Sequence, residues 1–470
     1  CSLNKYDVII IGSGTAGQTA AYELIAHGLS VAVVEQSETP GGTCALAGCQ
    51  AKKWFYEGME LIARARHLQD KGVEHLPVLS WAELKKQKNF FTSRVPKGTL
   101  AGFEKASIDV IAGKAAFISD NTIECNGQKY TAQNFIIATG AETITLPIPG
   151  GEHMITSREF LELDDLPGRI VFIGGGFISF EFAHFVARLN HLNDIQANEI
   201  QTTILEVAPR PLGPFDEDMV EQLMLASEMD GIDIMTETSI KSIEAHGPGY
   251  LIKMADSDDL EADLVVNGAG RKPALDGLGL EKAGIDFTQR GISVDEKMRT
   301  AQKHIFAVGD CAATVQLARV ADYEAMIAAN VILVDKGDKG NAGFSHVDQK
   351  YIPAILFTYP QYGMVGHTEQ SLIDSGIEYI KSENYDLTWP GYQRIGMDHA
   401  AYKILASPSG DLLGAHFLSD QASGMLNTIR LAMLNGINVE KLYRQMIMSP
   451  YPTRESDLTY MLKPLLLKIK

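Results

Sequence analysis

The apolar positions of the chain describe the same order of elements twice. In the first copy, residues 7–11 form a continuous apolar run, a glycine-rich turn follows, and apolar residues then recur at helical spacing to about His27. Residues 30–35 form the next apolar run. Continuous apolar runs are typical of strands buried on both faces of a parallel sheet, whereas apolar residues three and four positions apart are typical of helices. The pattern therefore predicts strand, turn, helix and strand.

The second copy begins at residue 169. Residues 169–173 are its apolar run, a glycine-rich turn follows, residues 180–189 continue as a helix, and residues 202–206 form the next strand. The polar stretch 190–201 between helix and strand is predicted to be a surface insertion. Because each copy has the form of a nucleotide-binding βαβ unit, the duplication predicts two Rossmann-like domains.

Three further apolar runs end in glycine, at Gly140, Gly268 and Gly309, and are predicted to be additional strands. From about residue 346 to the end, strand-like and helix-like segments are mixed, which predicts a third domain. The predicted fold class is therefore α/β, with two Rossmann-like dinucleotide-binding domains and a C-terminal α+β interface/dimerisation domain.

Composition narrows the function classes. The chain has 470 residues, of which 45% are hydrophobic and 21% charged, as expected for a globular enzyme of several domains. Its 59 acidic residues against 41 basic ones give a formal charge of -18. This balance disfavours nucleic acid and anionic membranes as partners, because both need clustered lysine and arginine. No uncharged apolar run reaches about 18 residues, so we predict a cytoplasmic enzyme without membrane spans.

The first glycine turn has the spacing of a dinucleotide site. Gly12 makes the tight turn, Gly14 lets a pyrophosphate approach the backbone, and Gly17 lets helix and strand pack closely. Glu35 ends the second strand, where a carboxylate holds a ribose hydroxyl. The alternative is a glycine-rich turn without a ligand, but the flanking strand, helix and acid favour dinucleotide binding.

The second glycine turn repeats the pattern with one departure. Gly174 and Gly176 match the first two glycines, whereas Ser179 replaces the third. Glu206 ends the following strand, and a carboxylate there accepts from a free 2′-hydroxyl and repels a 2′-phosphate. NADH is therefore favoured over NADPH, although Arg210 lies nearby. Two dinucleotides in one chain suggest a bound flavin paired with an exchangeable nicotinamide.

The chain has five cysteines, too few for a secreted disulfide framework. Cys44 and Cys49 lie close together, no histidine or cysteine cluster surrounds them, and no metal site is predicted. A regular helix would separate them by a rise of about 7.5 Å, beyond the Cα spacing of about 4.4–6.8 Å that a disulfide allows. A bridge therefore requires a distorted first turn, which Gly48 favours. We interpret the pair as redox-active, the alternative being two small buried apolar residues.

Six motifs, in the order of a known family, carry a resemblance that covers nearly the whole chain. With them the sequence resembles the pyridine nucleotide-disulfide oxidoreductases with a CxxxxC redox pair, which include dihydrolipoamide dehydrogenase, glutathione reductase and mercuric reductase. The motifs are Gly12-Ser-Gly-Thr-Ala-Gly17, Gly41-Gly-Thr-Cys-Ala-Leu-Ala-Gly-Cys49, Ala138-Thr-Gly140, Gly174-Gly-Gly-Phe-Ile-Ser179, Gly268-Ala-Gly-Arg-Lys-Pro273 and Ala307-Val-Gly-Asp310.

The resemblance implies catalytic roles for Cys44, Cys49, Lys52 and Glu181, and a cofactor-binding role for Phe177. Cys49 would be the thiolate against the flavin ring, and Cys44 would be the interchange thiol that attacks the substrate. Lys52 would lie by the flavin N5 and pair with Glu181, which would also orient the nicotinamide. Phe177 would be the aromatic gate over the flavin that the nicotinamide displaces. For Lys52 the alternative is a solvated charge, and for Phe177 it is core packing.

The resemblance also implies the cofactor contacts. Asp310 would bind the ribityl chain of FAD, and Thr139 and Gly140 would lie near its pyrophosphate. The implied order of electron transfer is NADH to FAD, FAD to the disulfide through Cys49, and the resulting dithiol to an external acceptor through Cys44. The remaining cofactor-binding positions in the matching motifs are Gly42, Thr43, Ile178, Gly270 and Gly309.

The C-terminal segment departs from the family pattern. Disulfide reductases of this family carry His-Pro-Thr-x-x-Glu there, with the histidine acting as acid/base in the partner subunit's site. In this chain Tyr451 replaces the histidine, Ser456 replaces the glutamate, and Glu455 stands one position early. Tyr451 is a catalytic candidate that could donate a proton or a hydrogen bond, but it is a poor base at neutral pH, because the ordinary pKa of tyrosine is about 10. The alternative role for Tyr451 is a packed interface aromatic. Mercuric reductases also have tyrosine here, but this chain ends without a cysteine pair.

The sequence thus predicts an FAD-binding domain (1–148 and 274–345), an NAD(P)-binding domain (149–273) and an interface domain (346–470) in a homodimer. The leading function is an NADH-dependent, dihydrolipoamide dehydrogenase-like reductase of a small-molecule or protein-bound disulfide. A flavin-dependent reductase of non-disulfide acceptors, such as a quinone or metal ion, is the second possibility. A flavin-containing regulatory or binding protein without turnover is the third.

Overall fold

A computed structural model describes residues 4–190 and 200–470. Most of the polar stretch 190–201, predicted to be an insertion, lies outside the described residues. Within the described ranges, no helix combines the length and the apolar character that crossing a membrane requires.

The helices are, in chain order, α1 (Thr15–Ala26), α2 (Gly42–Leu46), α3 (Cys49–His67), α4 (Trp81–Thr92), α5 (Val95–Lys105), α6 (Ser157–Phe160), α7 (Phe177–Asn190), α8 (Glu217–Met229), α9 (Ala318–Asp335), α10 (Glu369–Asp374), α11 (Pro390–Arg394), α12 (Ala422–Leu434), α13 (Val439–Met446) and α14 (Leu458–Leu466).

The strands are, in chain order, β1 (Asn4–Ile11), β2 (Val31–Glu35), β3 (Asp109–Ala112), β4 (Ala115–Ser119), β5 (Thr122–Cys125), β6 (Gln128–Ile137), β7 (Ala141–Thr143), β8 (Ile155–Thr156), β9 (Arg169–Ile173), β10 (Gln201–Leu205), β11 (Ile232–Met235), β12 (Ile240–His246), β13 (Gly249–Met254), β14 (Leu260–Ala262), β15 (Leu264–Asn267), β16 (Arg271–Pro273), β17 (Phe287–Thr288), β18 (Gly291–Ile292), β19 (Ile305–Ala307), β20 (Ala354–Leu356), β21 (Gln361–Gly366), β22 (Ile380–Asn384), β23 (Ala401–Ala406) and β24 (Leu412–Ser419).

The chain divides into two compact units. Unit 1 is Cys1–Trp54, Lys85–Thr145 and Gly270–Asp348. Its main sheet has the order β3-β2-β1-β6-β5-β4, with β19 also paired to β6. β1 runs parallel to both β2 and β6, so the glycine turn after β1 lies at the carboxyl edge of parallel strands. This edge is where doubly wound folds bind nucleotides.

Unit 2 is Phe55–Leu84, Leu146–Ala269 and Gln349–Lys470. It contains the second copy of the predicted unit, a parallel sheet in the order β11-β10-β9-β15-β8. An antiparallel sheet of β12, β13 and β14 follows in the chain. The C-terminal part is an antiparallel sheet in the order β20-β21-β24-β23-β22, with α12, α13 and α14 supplying apolar side chains to its core.

The two units agree with the duplication predicted from the sequence. Strands β1 and β9 hold the same place in their sheets, each between the strand that follows its helix and another parallel strand. The FAD-binding domain at 1–148 and 274–345 stays a prediction, since Phe55–Leu84 of that range lies in unit 2. Unit 2 holds both the predicted NAD(P)-binding and interface domains, so the boundary between those two stays a prediction.

A buried ionic group, which we call the Lys403 cluster, joins the nucleotide-binding part of unit 2 to its C-terminal sheet. The ammonium of Lys403, which is 1% exposed, donates to carboxylates of Asp216, Asp218 and Glu369 at 2.5 to 2.8 Å. Burial alone would raise the pKa of Glu369, but hydrogen bonds from Lys403, Tyr379 and Lys381 lower it to about 2. The carboxylate therefore stabilises the fold above its ordinary pKa and loses that contribution as the pH falls toward 2.

Candidate active site

The glycines of the first turn are required by close packing. A Cβ on Gly12 would collide with the carbonyl oxygen of Ala138, and one on Gly17 would collide with the carbonyl of Gly12. A Cβ on Gly14 would meet only the Cα of Gly42, at 3.8 Å. Gly14 is also the N-cap of α1 and supplies no side-chain cap, so backbone N–H groups remain for a ligand. The turn thus fits the pyrophosphate of a dinucleotide.

Glu35 is held in place by the first glycine turn. One of its carboxylate oxygens accepts from the backbone N–H and the hydroxyl of Ser13, at 2.9 and 2.5 Å, and the other accepts from the N–H of Ser37. The Ser13 hydroxyl oxygen also accepts from the N–H of Gly41, which begins the segment carrying the cysteines. Ser13 therefore links the nucleotide turn to that segment.

In the second turn, the serine that replaces the third glycine is accommodated by another glycine. Ser179 is fully buried at the start of α7, and its hydroxyl occupies the place that a Cβ on Gly268 would take. The close approach that Gly17 permits in unit 1 is therefore provided in unit 2 by Gly268, on the loop after β15. Gly176 retains open space, with its nearest neighbour 3.6 Å from an added Cβ.

Glu206 repeats the arrangement of Glu35. Its carboxylate accepts from the N–H groups of Gly175 and Ala208, at 2.6 and 2.7 Å. The guanidinium of Arg210 points back to its own loop, where it donates to the carbonyls of Pro211, Leu212 and Gly213. The carboxylate is thus fixed beside the second turn, while the nearby cation is engaged by backbone carbonyls.

The cysteine pair lies at the helix distortion that its spacing predicted. Helix α2 ends at Leu46 and α3 begins at Cys49, with Gly48 at the break. A Cβ on Gly48 would lie 2.9 Å from the carbonyl of Thr43 and 3.3 Å from the Cα of Cys44, so only glycine lets the two turns approach. Cys44 is half-buried and Cys49 exposed, which argues against two buried apolar cysteines.

The two thiols interact directly, and nearby charges act on Cys44. The pKa of Cys44 is raised first by a hydrogen bond with Cys49, then by burial and by the negative charge of Asp322, while Arg319 lowers it. Gly42, two residues before Cys44, packs against Gly14, since a Cβ on Gly42 would lie 2.5 Å from the Gly14 Cα. The pair therefore shares one edge of unit 1 with the first nucleotide turn.

A second group of predicted FAD contacts lies in the same unit. Gly309 has a φ of +71°, and its N–H donates to the buried carboxylate of Glu324 on α9, at 2.8 Å. Burial raises the pKa of the adjacent Asp310, and Arg271 partly offsets this. Gly140 and Gly270 have φ values of +70° and +123°, in the loops after β6 and β15.

Two of the remaining predicted residues, Lys52 and Glu181, lie near the starts of α3 and α7. Lys52 is half-buried on α3 in unit 1, and Glu181 is fully buried on α7 in unit 2, where its carboxylate accepts from the N–H of Phe357. Their mutual pairing stays a prediction.

Phe177 is 51% exposed, which argues against core packing and leaves its ring accessible beside the half-buried Ile178. Thr43, on α2, is exposed and Thr139 half-buried.

Tyr451 is 73% exposed at the rim of a cavity of about 860 Å³ in the C-terminal part of unit 2. Its hydroxyl faces that of Tyr460, and it raises the pKa of Tyr460.

Ser456, at the position of the family's glutamate, has no carboxylate to orient a catalytic side chain. It closes a local turn instead, exchanging hydrogen bonds with Thr453. Glu455 lies against Gly424 of α12.

Sequence reasoning missed three polar residues of unit 1. Asp322 accepts from the hydroxyl of Thr15 at the start of α1, and Glu324 supports Gly309. Ser13 bridges Glu35 and Gly41. Only Ser13 has a local signal, its place inside the glycine motif, whereas Asp322 and Glu324 meet their partners through the fold.

Comparison with known proteins identifies the family. The description "Pyridine nucleotide-disulphide oxidoreductase" matches residues 6–325, and the dimerisation domain of the same family matches residues 352–460. The chain belongs to the pyridine nucleotide-disulphide oxidoreductase family and is an oxidoreductase. Membership confirms the predicted fold class and implies FAD and NAD(P)H as cofactors, and the dimerisation domain supports a homodimer.

The chain is similar over nearly its whole length to characterised enzymes. It is 30% identical to a dihydrolipoyl dehydrogenase of Staphylococcus aureus, covering 93% of this chain and 92% of that protein. It is also 30% identical to a mercuric reductase of Staphylococcus aureus, covering 93% and 78%. Among solved structures, a Cu(II) complex of the HOCl-induced flavoprotein disulfide reductase RclA from Escherichia coli matches with a TM-score of 0.84 at 24% identity, covering 98% and 100%.

Proposed function

We propose that the protein is an NADH-dependent flavoprotein disulfide reductase that works through Cys44 and Cys49. The observation that carries the proposal is the hydrogen-bonded thiol pair at the broken start of α3, beside the first nucleotide turn. FAD, held by the glycine turn Gly12–Gly17 and by Glu35, would supply two-electron transfer between the nicotinamide and the cysteine pair. A cytoplasmic location, where NADH is available, is proposed with this function.

The chain's own residues then carry out thiol–disulfide exchange. The Cys44 thiolate attacks one sulfur of the acceptor disulfide, forming a mixed disulfide and releasing the other sulfur as a thiolate, which takes a proton from solvent. The Cys49 thiolate attacks the Cys44 sulfur, which releases the second acceptor thiolate and forms the Cys44–Cys49 bridge. The pKa of the Cys44 thiol is raised first by its hydrogen bond with Cys49 and then by burial, so Cys44 must lose its proton before it attacks the acceptor.

The nicotinamide site supports a preference for NADH. The fixed carboxylate of Glu206 fits a free 2′-hydroxyl, and a 2′-phosphate would bring two negative charges together. Arg210 offers little positive charge to a 2′-phosphate, because its guanidinium donates to three backbone carbonyls of its own loop.

The Glu206→Gln variant tests this preference, because it removes the charge and keeps the side-chain size. Wild type is expected to show a higher kcat/KM with NADH than with NADPH, and the variant to narrow that ratio by about tenfold. Steady-state rates of dye reduction with both nucleotides measure it, and Glu244→Gln, an exposed glutamate of the same unit, is the matched control. Equal use of the two nucleotides by wild type would refute the preference.

A reductase of non-disulfide acceptors is the second candidate, and the Tyr451 segment favours it. The position offers no histidine, Ser456 is engaged with Thr453, and a tyrosine does not supply a base for rapid thiol exchange at neutral pH. A metal ion or quinone needs no such base. The solved structure of RclA as a Cu(II) complex makes a copper ion a reasonable member of this class.

Anaerobic titration of the FAD-loaded protein with NADH, followed by a panel of acceptors, separates these candidates. We expect a long-wavelength charge-transfer band after two electrons, which reports contact between the Cys49 thiolate and the flavin. Rapid discharge of the band by lipoamide or glutathione disulfide supports the disulfide reductase. Discharge only by quinones or Cu(II) supports the second candidate. Loss of flavin absorbance without the band would remove the cysteine pair from the electron path, and no reaction with NADH would indicate a protein without turnover.

A further inference from the structure

We propose that Arg319 and Asp322, an ion pair on the first turns of α9, control the reactivity of the interchange thiol Cys44 electrostatically. The inference rests on the proposed function, in which Cys44 must become a thiolate to attack the acceptor. The pair belongs to the same chain and the same compact unit as the thiol.

The position of the pair follows from the packing of three helix starts. Asp322 accepts from the hydroxyl of Thr15, the first residue of α1. Thr15 follows Gly14, which is in contact with Gly42 at the start of α2. Cys44 lies two residues further along α2. The start of α1 therefore contacts both the carboxylate of Asp322 and the segment that carries Cys44.

The two charges of the pair differ in how they are held. The side chain of Asp322 is 18% exposed and is fixed by the Thr15 hydroxyl, whereas that of Arg319 is 96% exposed and has one 3.1 Å bond, to Asp322. A sheltered charge acts over distance more strongly than a solvated one. The anion therefore dominates, and the cation partly offsets it.

Both charges act on Cys44 in the expected sense. Asp322 raises the pKa of the Cys44 thiol and Arg319 lowers it, with the effect of Asp322 the larger. Cys49, at the start of α3, also raises the pKa of Cys44, through a hydrogen bond and its charge. Asp322 thus favours the protonated form of Cys44, and Arg319 favours its thiolate. The proton leaves to solvent, so the step requires no oxidant or reductant.

The test measures the ionisation of Cys44 directly. In the FAD-loaded Cys49→Ser background, the rate of alkylation by iodoacetamide is followed from pH 6 to 10 (roughly the range over which thiols ionise), and the Cys44 peptide is quantified by mass spectrometry. Arg319→Gln is expected to raise the pH midpoint of alkylation by about half a unit, and Asp322→Asn to lower it by about as much. Asparagine can still accept from Thr15, so the packing is retained.

Three controls distinguish electrostatic control from a structural role. Arg319→Lys keeps the charge and should restore the wild-type midpoint. Arg290→Gln, at an exposed arginine of the same unit, should leave it unchanged. Added salt should shrink the Arg319→Gln shift, because solvated charges are screened. Midpoints that do not move, or that move in the same direction in both variants, overturn the inference.

Failure of the inference can be told apart from failure of the proposed function. Alkylation requires neither NADH nor an acceptor, so unchanged midpoints overturn electrostatic control even if disulfides are turned over. Shifted midpoints in an enzyme that reduces no disulfide support control of the thiol by the pair and refute only the disulfide acceptor.

Discussion

Cys44→Ser is expected to lower disulfide reduction by at least about 10³-fold while NADH still reduces the flavin. Serine keeps the size of the side chain but is not a nucleophile toward a disulfide at neutral pH. Cys49 would remain as a single thiol beside the flavin, so the long-wavelength band should persist or strengthen. Stopped-flow absorbance of flavin reduction and steady-state disulfide turnover, measured on the same preparation, separate the two half-reactions.

Cys125→Ala is the matched control, because Cys125 is a buried cysteine of the same unit on β5 and has no role in the proposed exchange. It should retain the turnover of the wild type. Disulfide turnover that survives Cys44→Ser would show that electrons reach the acceptor by another route. Loss of flavin reduction by NADH in the variant would mean that the substitution disturbs the flavin site, contrary to the proposed division of roles.

Lys403→Met is expected to destabilise the protein by about 3–5 kcal/mol, because it leaves three carboxylates around a buried site without their cation. Asp216 suffers most, since it is 2% exposed and its other oxygen is engaged by the N–H of Glu369. For a chain of this size the loss corresponds to a fall in Tm of roughly 5–10 °C. Thermal unfolding of the FAD-loaded protein, followed by circular dichroism at fixed protein concentration, measures it.

Lys381→Met provides the comparison. Lys381 also pairs with Glu369, but its side chain is about one-third exposed, so its loss should cost no more than about 1 kcal/mol. If both variants unfold at the same temperature, the Lys403 cluster contributes no more than a surface ion pair. A Lys403→Met/Asp216→Asn double variant should recover part of the stability, because it removes one of the uncompensated charges.

Features that depend on neighbouring positions could be predicted from the sequence. The glycines of both nucleotide turns, the acids that end the following strands, and the distorted helix between Cys44 and Cys49 all follow from local spacing and steric limits. The replacement of the histidine at Tyr451 is equally visible in the sequence, since it occupies a fixed place in a short motif. Such features need no knowledge of which distant segments meet.

Features that depend on distant segments could not be predicted. Thr15 and Asp322 are 307 positions apart, and Asp216 and Lys403 are 187 apart. A lone aspartate or lysine in a sequence is most often solvated, so no local pattern marks these as partners. The exchange between Ser179 and Gly268 is of the same kind, because the space left by one residue is filled by another from a separate strand end.

The Lys403 cluster limits how this chain can be recombined with its relatives. The two family regions meet between residues 325 and 352, which makes that linker an obvious crossover point for chimeras. A crossover there separates Lys403 and Glu369 from Asp216 and Asp218, and it also separates Arg188 from the carbonyl of Tyr359 that it binds. A donor fragment lacking the complementary charges would bury unpaired ions at the new junction. Swapping nucleotide specificity between relatives is therefore better attempted with the Glu206 loop alone than with the whole region.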